Sequence, residues 1–242
     1  MHDNVALYKI GVEDESYSFI KADYIVNKDP YVYYHPCSDG ILALKNKKID
    51  SETVNRIDKI DPESDSPEFK QIICLADEGY KDSEITDFCV YKDRIYAVCR
   101  KADSKNSFTH WIRVYDKDGK FIEDIEFNSE TNSLINNNGS SKVDHIRVFG
   151  RFAQISPRGD VALVIEISSE TADIVLEKPT LSWSRSLCED DNWFLFSSTT
   201  GEVWEYDKNS DMLLDIRKSF SDIPGIFVSG DDVLVDIGQS FL

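Results

Sequence analysis

Two segments of the chain, WIRVYDKDGKFIEDI (111–125) and EVWEYDKNSDMLLDI (202–216), align without a gap at an offset of 91 residues, sharing Tyr-Asp-Lys at a central turn and Asp-Ile at their ends. Each sets a polar turn between two stretches of alternating apolar residues. Successive side chains of a strand point to opposite faces, so this alternation is the pattern of strands half buried in a sheet. Asp118-Gly119 strengthens the hairpin reading, because glycine accepts a positive φ without a side-chain clash. Helical spacing is nearly absent elsewhere, which confines the chain to all-β folds assembled from hairpins.

A second kind of hairpin alternates with the first. Five segments read as an apolar strand, a polar turn carrying Asp or Asn, and a strand rich in aromatic or β-branched residues: 22–36, 87–100, 152–166, 186–198 and 225–238. Weaker counterparts of the opening pair lie at 5–20, at 41–46 with 69–75, and at 172–179. Units of about 40 to 50 residues with four strands each are the sequence sign of a β-propeller, whose blades bury their faces against one another. Five hairpins of each kind fit. The hairpin at 5–20 and the hairpin at 225–238 each lack a partner, so together they complete one blade and close the ring, removing two sheet edges that would invite aggregation. The expectation is a single domain over 1–242: an all-β, five-bladed, circularly closed propeller.

The unit 85–127, ITDFCVYKDRIYAVCRKADSKNSFTHWIRVYDKDGKFIEDIEF, resembles one blade of the NHL-type and related six-bladed propellers. A strand, a turn, an "IYV"-like strand, a loop and an "RVFDxxGKF"-like hairpin follow in the same order there. The resemblance is partial over 183–220 and implies the fold rather than an activity. Two stretches interrupt the repeat. KNKKIDSETVNRIDKIDPESDSPE (45–68) is charged, and NSETNSLINNNGSSK (128–142) is rich in Asn and Ser, so both are expected to be loops. Between 160 and 192 the spacing of the turns shortens, as though the third blade lacked its outer strand or one blade had been read as two.

Most chemical motifs have a plainer structural account. An EF-hand loop needs acidic or amide groups at alternate positions, a glycine and a distant bidentate Glu. Asp116 and Asp118 supply two of these; the sister turn at Asp207 to Asp211 lacks the glycine, and a turn is expected. His35-Pro36-Cys37 is the one close His/Cys pair, short of the three or four ligands that zinc requires. No GxSxG turn is present, and the acidic clusters Glu13-Asp14-Glu15, Glu189-Asp190-Asp191 and Asp231-Asp232 fall at hairpin turns, where solvation explains them. Arg158-Gly159-Asp160, Asn138-Gly139-Ser140 and the serines Ser64 and Ser66 are surface signals without a supporting context. Trp111, Trp193 and Trp204 sit in strand alternation and are expected to pack between blades, whereas Trp183 has no clear place.

With 27 basic against 45 acidic residues the formal charge is −18, which repels nucleic acid and anionic lipid; solubility is the plainer account of the acidity, and a basic surface on a protein partner is the other. No apolar run approaches the roughly 18 residues of a membrane span. The start, MHDNVALYKIG, has neither the basic residues nor the apolar stretch of about 7 to 15 residues of a secretory signal, so a cytoplasmic location is expected. The five cysteines fit small thiols in a reducing compartment, three of them (Cys74, Cys89, Cys99) within apolar or alternating runs. The function expected is a non-enzymatic protein-interaction scaffold or subunit of an assembly, with no cofactor and no metal. A carbohydrate-active five-bladed glycosidase or lectin is the alternative, requiring carboxylates roughly 5 to 10 Å apart at the channel mouth; a metal-dependent lactonase-like hydrolase is a third. In propellers generally, the loops between successive hairpins hold ligands. That face would carry His35, Asp77, Glu78, Tyr80, Arg100, Lys101, His110 and Arg185.

Overall fold

The computed structural model describes residues 7–10, 17–21, 33–49, 52–61, 69–104, 107–137, 142–157, 161–167, 171–179, 184–189, 192–197, 203–207, 210, 212–217, 225–229 and 232–236, with side chains described mainly over 35–45, 55–61 and 69–174. Among these residues the chain is built from strands and one short helix. A hairpin of β1 (Leu7–Ile10) and β2 (Tyr17–Lys21) comes first. The meander β3 (Tyr33–Cys37), β4 (Gly40–Ile49), β5 (Glu52–Ile60) and β6 (Lys70–Cys74) forms a four-stranded sheet. Next come β7 (Ser83–Tyr91), β8 (Arg94–Ser104), β9 (Ser107–Asp116) and β10 (Phe121–Phe127), then helix α1 (Ser129–Asn137). After the helix, β11 (Val143–Phe149), β12 (Phe152–Pro157), β13 (Val161–Glu166) and β14 (Thr171–Pro179) meander in turn. This sheet is continuous with β7–β10 through two parallel residue pairs between β10 and β14. A further four-stranded sheet, β15 (Ser184–Glu189) to β18 (Met212–Arg217) by way of β16 (Asn192–Ser197) and β17 (Val203–Asp207), precedes the hairpin of β19 (Gly225–Ser229) and β20 (Asp232–Asp236).

Four-stranded meanders recur as the repeat requires, and the two aligned hairpins take equivalent places. The first turns between β9 and β10, and the second between β17 and β18, where Asp207 pairs with Met212. Four expectations need correction. Residues 45–60 are not a loop: β4 and β5 continue as one long hairpin paired from Ile41↔Ile60 to Ile49↔Glu52. Ile49, Thr53, Val54, Ile57 and Ile60 supply the β-branched side chains that a strand favours, and the charged residues between them masked that signal. The remaining part of that stretch, 62–68 with Ser64 and Ser66, lies outside the described residues.

The second supposed loop contains α1. Asn128 caps it by accepting a hydrogen bond from the Thr131 N–H (2.8 Å), Glu130 lies in the positively polarised first turn, and Thr131 and Ile135, four residues apart, are buried. The short third unit is explained by β11, which precedes the 152–166 hairpin and pairs with β12, so that meander has four strands. The 22–36 hairpin is also displaced. Tyr33–Cys37 pairs forward with β4 across Ser38-Asp39, while 22–32 lies outside the described residues.

The chain divides into two compact units, 1–101 with 113–123, and 102–112 with 124–242. In the first, Leu42, Leu44, Ile57, Ile73, Ile85 and Phe88 are fully or almost fully buried together with the run Ile95 to Cys99. That run is covered on both faces, which explains why IYAVC reads as continuously apolar rather than alternating. Cys89 and Cys99 are buried free thiols, and Cys37 and Cys74 are half-buried. Asn55 of β5 connects the two meanders of this unit: its Nδ2 donates to the Ser83 carbonyl (3.0 Å) and its Oδ1 accepts from the Ile85 N–H (3.3 Å). In the second unit Ile112, Phe127, Ile135, Phe149, Ile155 and Leu163 to Ile165 are buried.

The DKDG segment is a tightly docked turn. Asp116 Oδ1 accepts from the N–H groups of Asp118 (3.0 Å) and Lys120 (2.9 Å), and Gly119 has φ of 85°. A Cβ at Gly119 would strike the Ile72 carbonyl oxygen of β6, so only glycine lets the turn approach that strand. Around it, Asp39 lies between Lys59 Nζ (2.8 Å) and Lys117 Nζ (3.2 Å), while Ser38 Oγ donates to Asp93 Oδ1 (2.8 Å) in the β7–β8 turn. Three turns and the end of β5 are thereby held together.

The hydrogen bond from Lys59, reinforced by Lys117, holds the Asp39 carboxyl down to about 2, against the usual 3.8. A folded-state value below the unfolded one means that the stabilisation is present above pH 3.8 and is lost as pH falls through about 2. Asp39→Asn should therefore lower the melting temperature at neutral pH, and its difference from the parent chain should shrink steadily below pH 3.8. A difference that stays constant down to pH 2 in matched thermal melts would show that Asp39 acts through packing alone.

Candidate functional site

The residues expected on one face go to several places. After β6 the chain makes a compact turn in which the N–H groups of Glu78 (3.2 Å) and Tyr80 (2.8 Å) both donate to the Leu75 carbonyl. Gly79 has φ of 92°, a conformation that a residue with a side chain rarely adopts. This geometry presents Glu78 and Tyr80 to β9, where they meet a residue that the sequence reading left out, Arg113.

Arg113 Nε donates to Glu78 Oε2 (2.8 Å), and its NH1 donates to the Tyr80 hydroxyl (3.3 Å). The Tyr115 hydroxyl donates to the same Glu78 oxygen (3.0 Å). The guanidinium carbon lies 4.6 Å from the Tyr80 ring centre, 5.7 Å from that of Tyr115 and 4.0 Å from that of Phe121. Arg113 is thus a cation enclosed by three aromatic faces and one carboxylate, with its side chain only 7% exposed. Desolvation by burial, followed by the nearby Cys99 and Glu78, pushes the Tyr115 hydroxyl far above its ordinary value, so it remains a donor. Glu78, Tyr80 and Tyr115 belong to the same unit as Arg113. What the arrangement does is fasten the 75–82 turn to β9.

The other expected residues lie apart from this cluster. Arg100 pairs with Glu84 at 2.6 Å across the β7–β8 ladder, and Lys101 is exposed opposite Ser83. Asp77 accepts from Gln71 Nε2 (3.0 Å) on the surface. The His35 ring packs edge-on against Phe88, with centroids 4.8 Å apart. His110 belongs to the second unit and is fully buried. Its N–H donates to Asn132 Oδ1 (2.8 Å), and its Nδ1 lies 3.0 Å from the same oxygen. Since an amide oxygen only accepts, that contact calls for the tautomer with the proton on Nδ1. Arg185 stands in β15 opposite Phe196, with its side chain outside the described residues.

Among the described residues, no three His, Cys, Asp or Glu side chains come close enough to hold a metal ion, and no helix is long and apolar enough to cross a membrane. Trp111 is buried in β9. Trp193 and Trp204 are placed in β16 and β17, with their side chains outside the described residues, as is Trp183 entirely. The motifs Arg158-Gly159-Asp160 and Asn138-Gly139-Ser140 also lie outside them. The signal for Arg113 was present in WIRVY, where one charged residue interrupts an apolar strand and shares a face with Tyr115.

No family model matches the sequence, and no curated protein matches it. Solved structures match in shape. The N-terminal domain of Nup159 superposes with a TM-score of 0.56 at 14% identity, over 96% of this chain and 67% of that one. Sqt1 of Saccharomyces cerevisiae gives 0.52 at 10% identity, over 97% and 64%. The computationally designed Ika8 protein gives 0.47 at 12% identity, over 88% and 57%. The fold is of the β-propeller kind. This chain spans between 57% and 67% of the lengths of those three proteins.

Removing the guanidinium should leave Glu78 with a single internal donor and three aromatic rings around a void. Arg113→Met is expected to lower the unfolding free energy by about 2 kcal/mol, and Arg113→Lys by about 1 kcal/mol, because an ammonium cannot reproduce the stacked, multidentate contact. Urea unfolding of the two variants measures this; equal and negligible losses would mean that the ion pair contributes nothing.

Proposed function

We propose that this chain is a non-enzymatic interaction platform for a protein partner with a basic surface, working in a reducing compartment. The observation that carries the reading is electrostatic. The chain has 18 more carboxylates than basic side chains, and Arg56, Arg100, Arg113, Arg151, Lys59 and Lys117 each lie against a carboxylate of their own unit. Internal pairing therefore leaves a large acidic excess facing solvent, a field that accelerates association with cations and opposes phosphates. Phe121 (43% exposed) and Ile122 (40%) add exposed apolar area. The buried free thiols Cys89 and Cys99 support a reducing setting.

Affinity capture from the source lysate at low and high salt should recover a partner of net positive charge whose yield falls as salt rises. Recovery of no partner at either salt, or hydrolysis of a glycoside panel by the purified chain, would overturn the platform reading.

The same reading takes 1–242 as one five-bladed domain, in which β1–β2 and β19–β20 together form the fifth blade. Its support is the strand inventory among the described residues: four meanders of four strands each, with one hairpin left over at each end. One cooperative thermal transition is expected for the whole chain. Deleting residues 1–21 should lower its midpoint and increase protease cleavage within 225–236; an unchanged midpoint would dismiss the closure.

A further inference from the structure

In the sheet β9 lies between β8 and β10, and helix α1, which follows β10, meets the first residues of β9, Phe108 and His110. Asn136 Oδ1 accepts from the Phe108 N–H (3.1 Å), and Asn136 Nδ2 donates to the Phe108 carbonyl (2.9 Å). One turn earlier, Asn132 Oδ1 accepts from the His110 N–H (2.8 Å), while its Nδ2 returns to the Phe127 carbonyl (2.8 Å). A side-chain amide carries the same donor and acceptor as a peptide unit. Two such amides spaced i, i+4 on a helix thus match two residues spaced i, i+2 on a strand, and α1 engages β9 as a neighbouring strand would.

This cap is weakly built. It has nine residues, of which Asn132, Asn136 and Asn137 have low helix propensity, and a helix of that length is marginal without packing. Its buried side chains are Thr131 and Ile135, and the Thr131 hydroxyl, fully buried, has no hydrogen-bond partner among the described residues. An unsatisfied buried hydroxyl favours the detached state.

We propose that α1 is a displaceable strap over a strand-docking site, and that an extended, lysine- or arginine-bearing segment of a protein partner pairs with β9 at Phe108 and His110 when the strap lifts. The occupant follows from two features of the site. The groups beneath the strap are a backbone ladder already satisfied by peptide-like amides, so a polypeptide strand reproduces those bonds. The exposed side chains on the neighbouring segments, Asp103, Glu126, Glu130 and Asp173, are acidic, which favours a basic strand over a second copy of this acidic chain. This inference rests on the platform reading and names its docking site.

The test uses the full chain and a synthetic extended peptide of about ten residues alternating lysine and valine, beside an acidic glutamate–valine control and a version N-methylated at alternate residues. Hydrogen exchange at the Phe108 and His110 amides and fluorescence anisotropy of the labelled peptide are the readouts. Asn132→Ala with Asn136→Ala should speed exchange at both amides by about tenfold or more and tighten lysine–valine binding by a similar factor. Bound peptide should restore protection at both amides, and the N-methylated version should not. Thr131→Val fills the same space without an orphan hydroxyl, so it should slow exchange and weaken peptide binding. This second variant keeps the proposal open to refutation if the double substitution fails to fold.

Unchanged exchange in Thr131→Val, peptide binding without protection at Phe108 and His110, or dimerisation of the double variant in place of peptide binding would each overturn the strap. If the strap fails while salt-sensitive capture of a basic partner survives, the platform reading stands and its docking site lies elsewhere.

Discussion

A sheet edge must find partners for its N–H and C=O groups, and in this chain asparagine amides meet that requirement where one meander gives way to the next. Asn55 does so for β7, holding the Ser83 carbonyl and the Ile85 N–H from a position 4% exposed. Asn132 and Asn136 do so for Phe108 and His110 at the start of β9, a strand otherwise placed between β8 and β10. Leaving such groups buried without partners would cost more than a typical hydrogen bond contributes, so the apolar cores described above depend on these few amides. The polar contacts come first in this sense: burial of Leu75 or Ile85 requires that the backbone beside it already be paired. Leu75 shows the coupling directly, since its N–H donates to the Asn55 carbonyl (3.2 Å) while its side chain is fully buried.

Charge is organised around the same problem. A chain with this acidic excess repels itself, and its cations are most effective where one reaches several acceptors. Lys59 approaches Asp39 and Asp118, Lys117 reaches Asp39 from the other side, and the Lys117 carbonyl accepts from Lys59 (3.4 Å). These groups are exposed enough for solvent to weaken each pair, so the arrangement fixes turn positions more than it adds stability. Arg113 is the buried counterpart, with aromatic faces in place of water around its guanidinium. A function that depends on attracting a cationic surface is compatible with this economy, because fixing the turns leaves most carboxylates solvated.

The repeat of hairpins was legible because alternation survives wherever a strand has one wet face, and because Tyr-Asp-Lys marks the same corner twice. What escaped the sequence reading had a common cause. Lys45 to Arg56 form a ladder despite their charge, since a hairpin arm extending from a sheet needs β-branched residues more than a continuous apolar face. Asparagine in NSLINN reads as a loop former on propensity, yet spacing four apart on a helix makes it a backbone mimic. Residues 143–149 escaped because the loop assigned before them obscured where the third meander starts. Arg113 was overlooked for the opposite reason: it lies within the best-matched repeat, where an arginine reads as part of the pattern, and only the packing of the 75–80 turn shows what it holds.

The two asparagine devices differ in how their amides are anchored, and that difference bears on function. Asn55 stands in the middle of β5, with ladder pairs on both sides, so lifting its amide from β7 would require part of a four-stranded sheet to move. Asn132 and Asn136 stand on a nine-residue helix tied at its start through Asn128, which also reaches Asp173 (2.9 Å), and seated by Thr131 and Ile135. Both devices satisfy the same chemical need, but the energy required to open them scales with the structure that must move. A strand edge covered by a small, locally anchored element opens without unfolding the sheet beneath it, whereas one covered from within a sheet does not. If this chain exposes a pairing edge to a partner while remaining folded, the start of β9, at Phe108 and His110, is where the covering element is small enough to allow it.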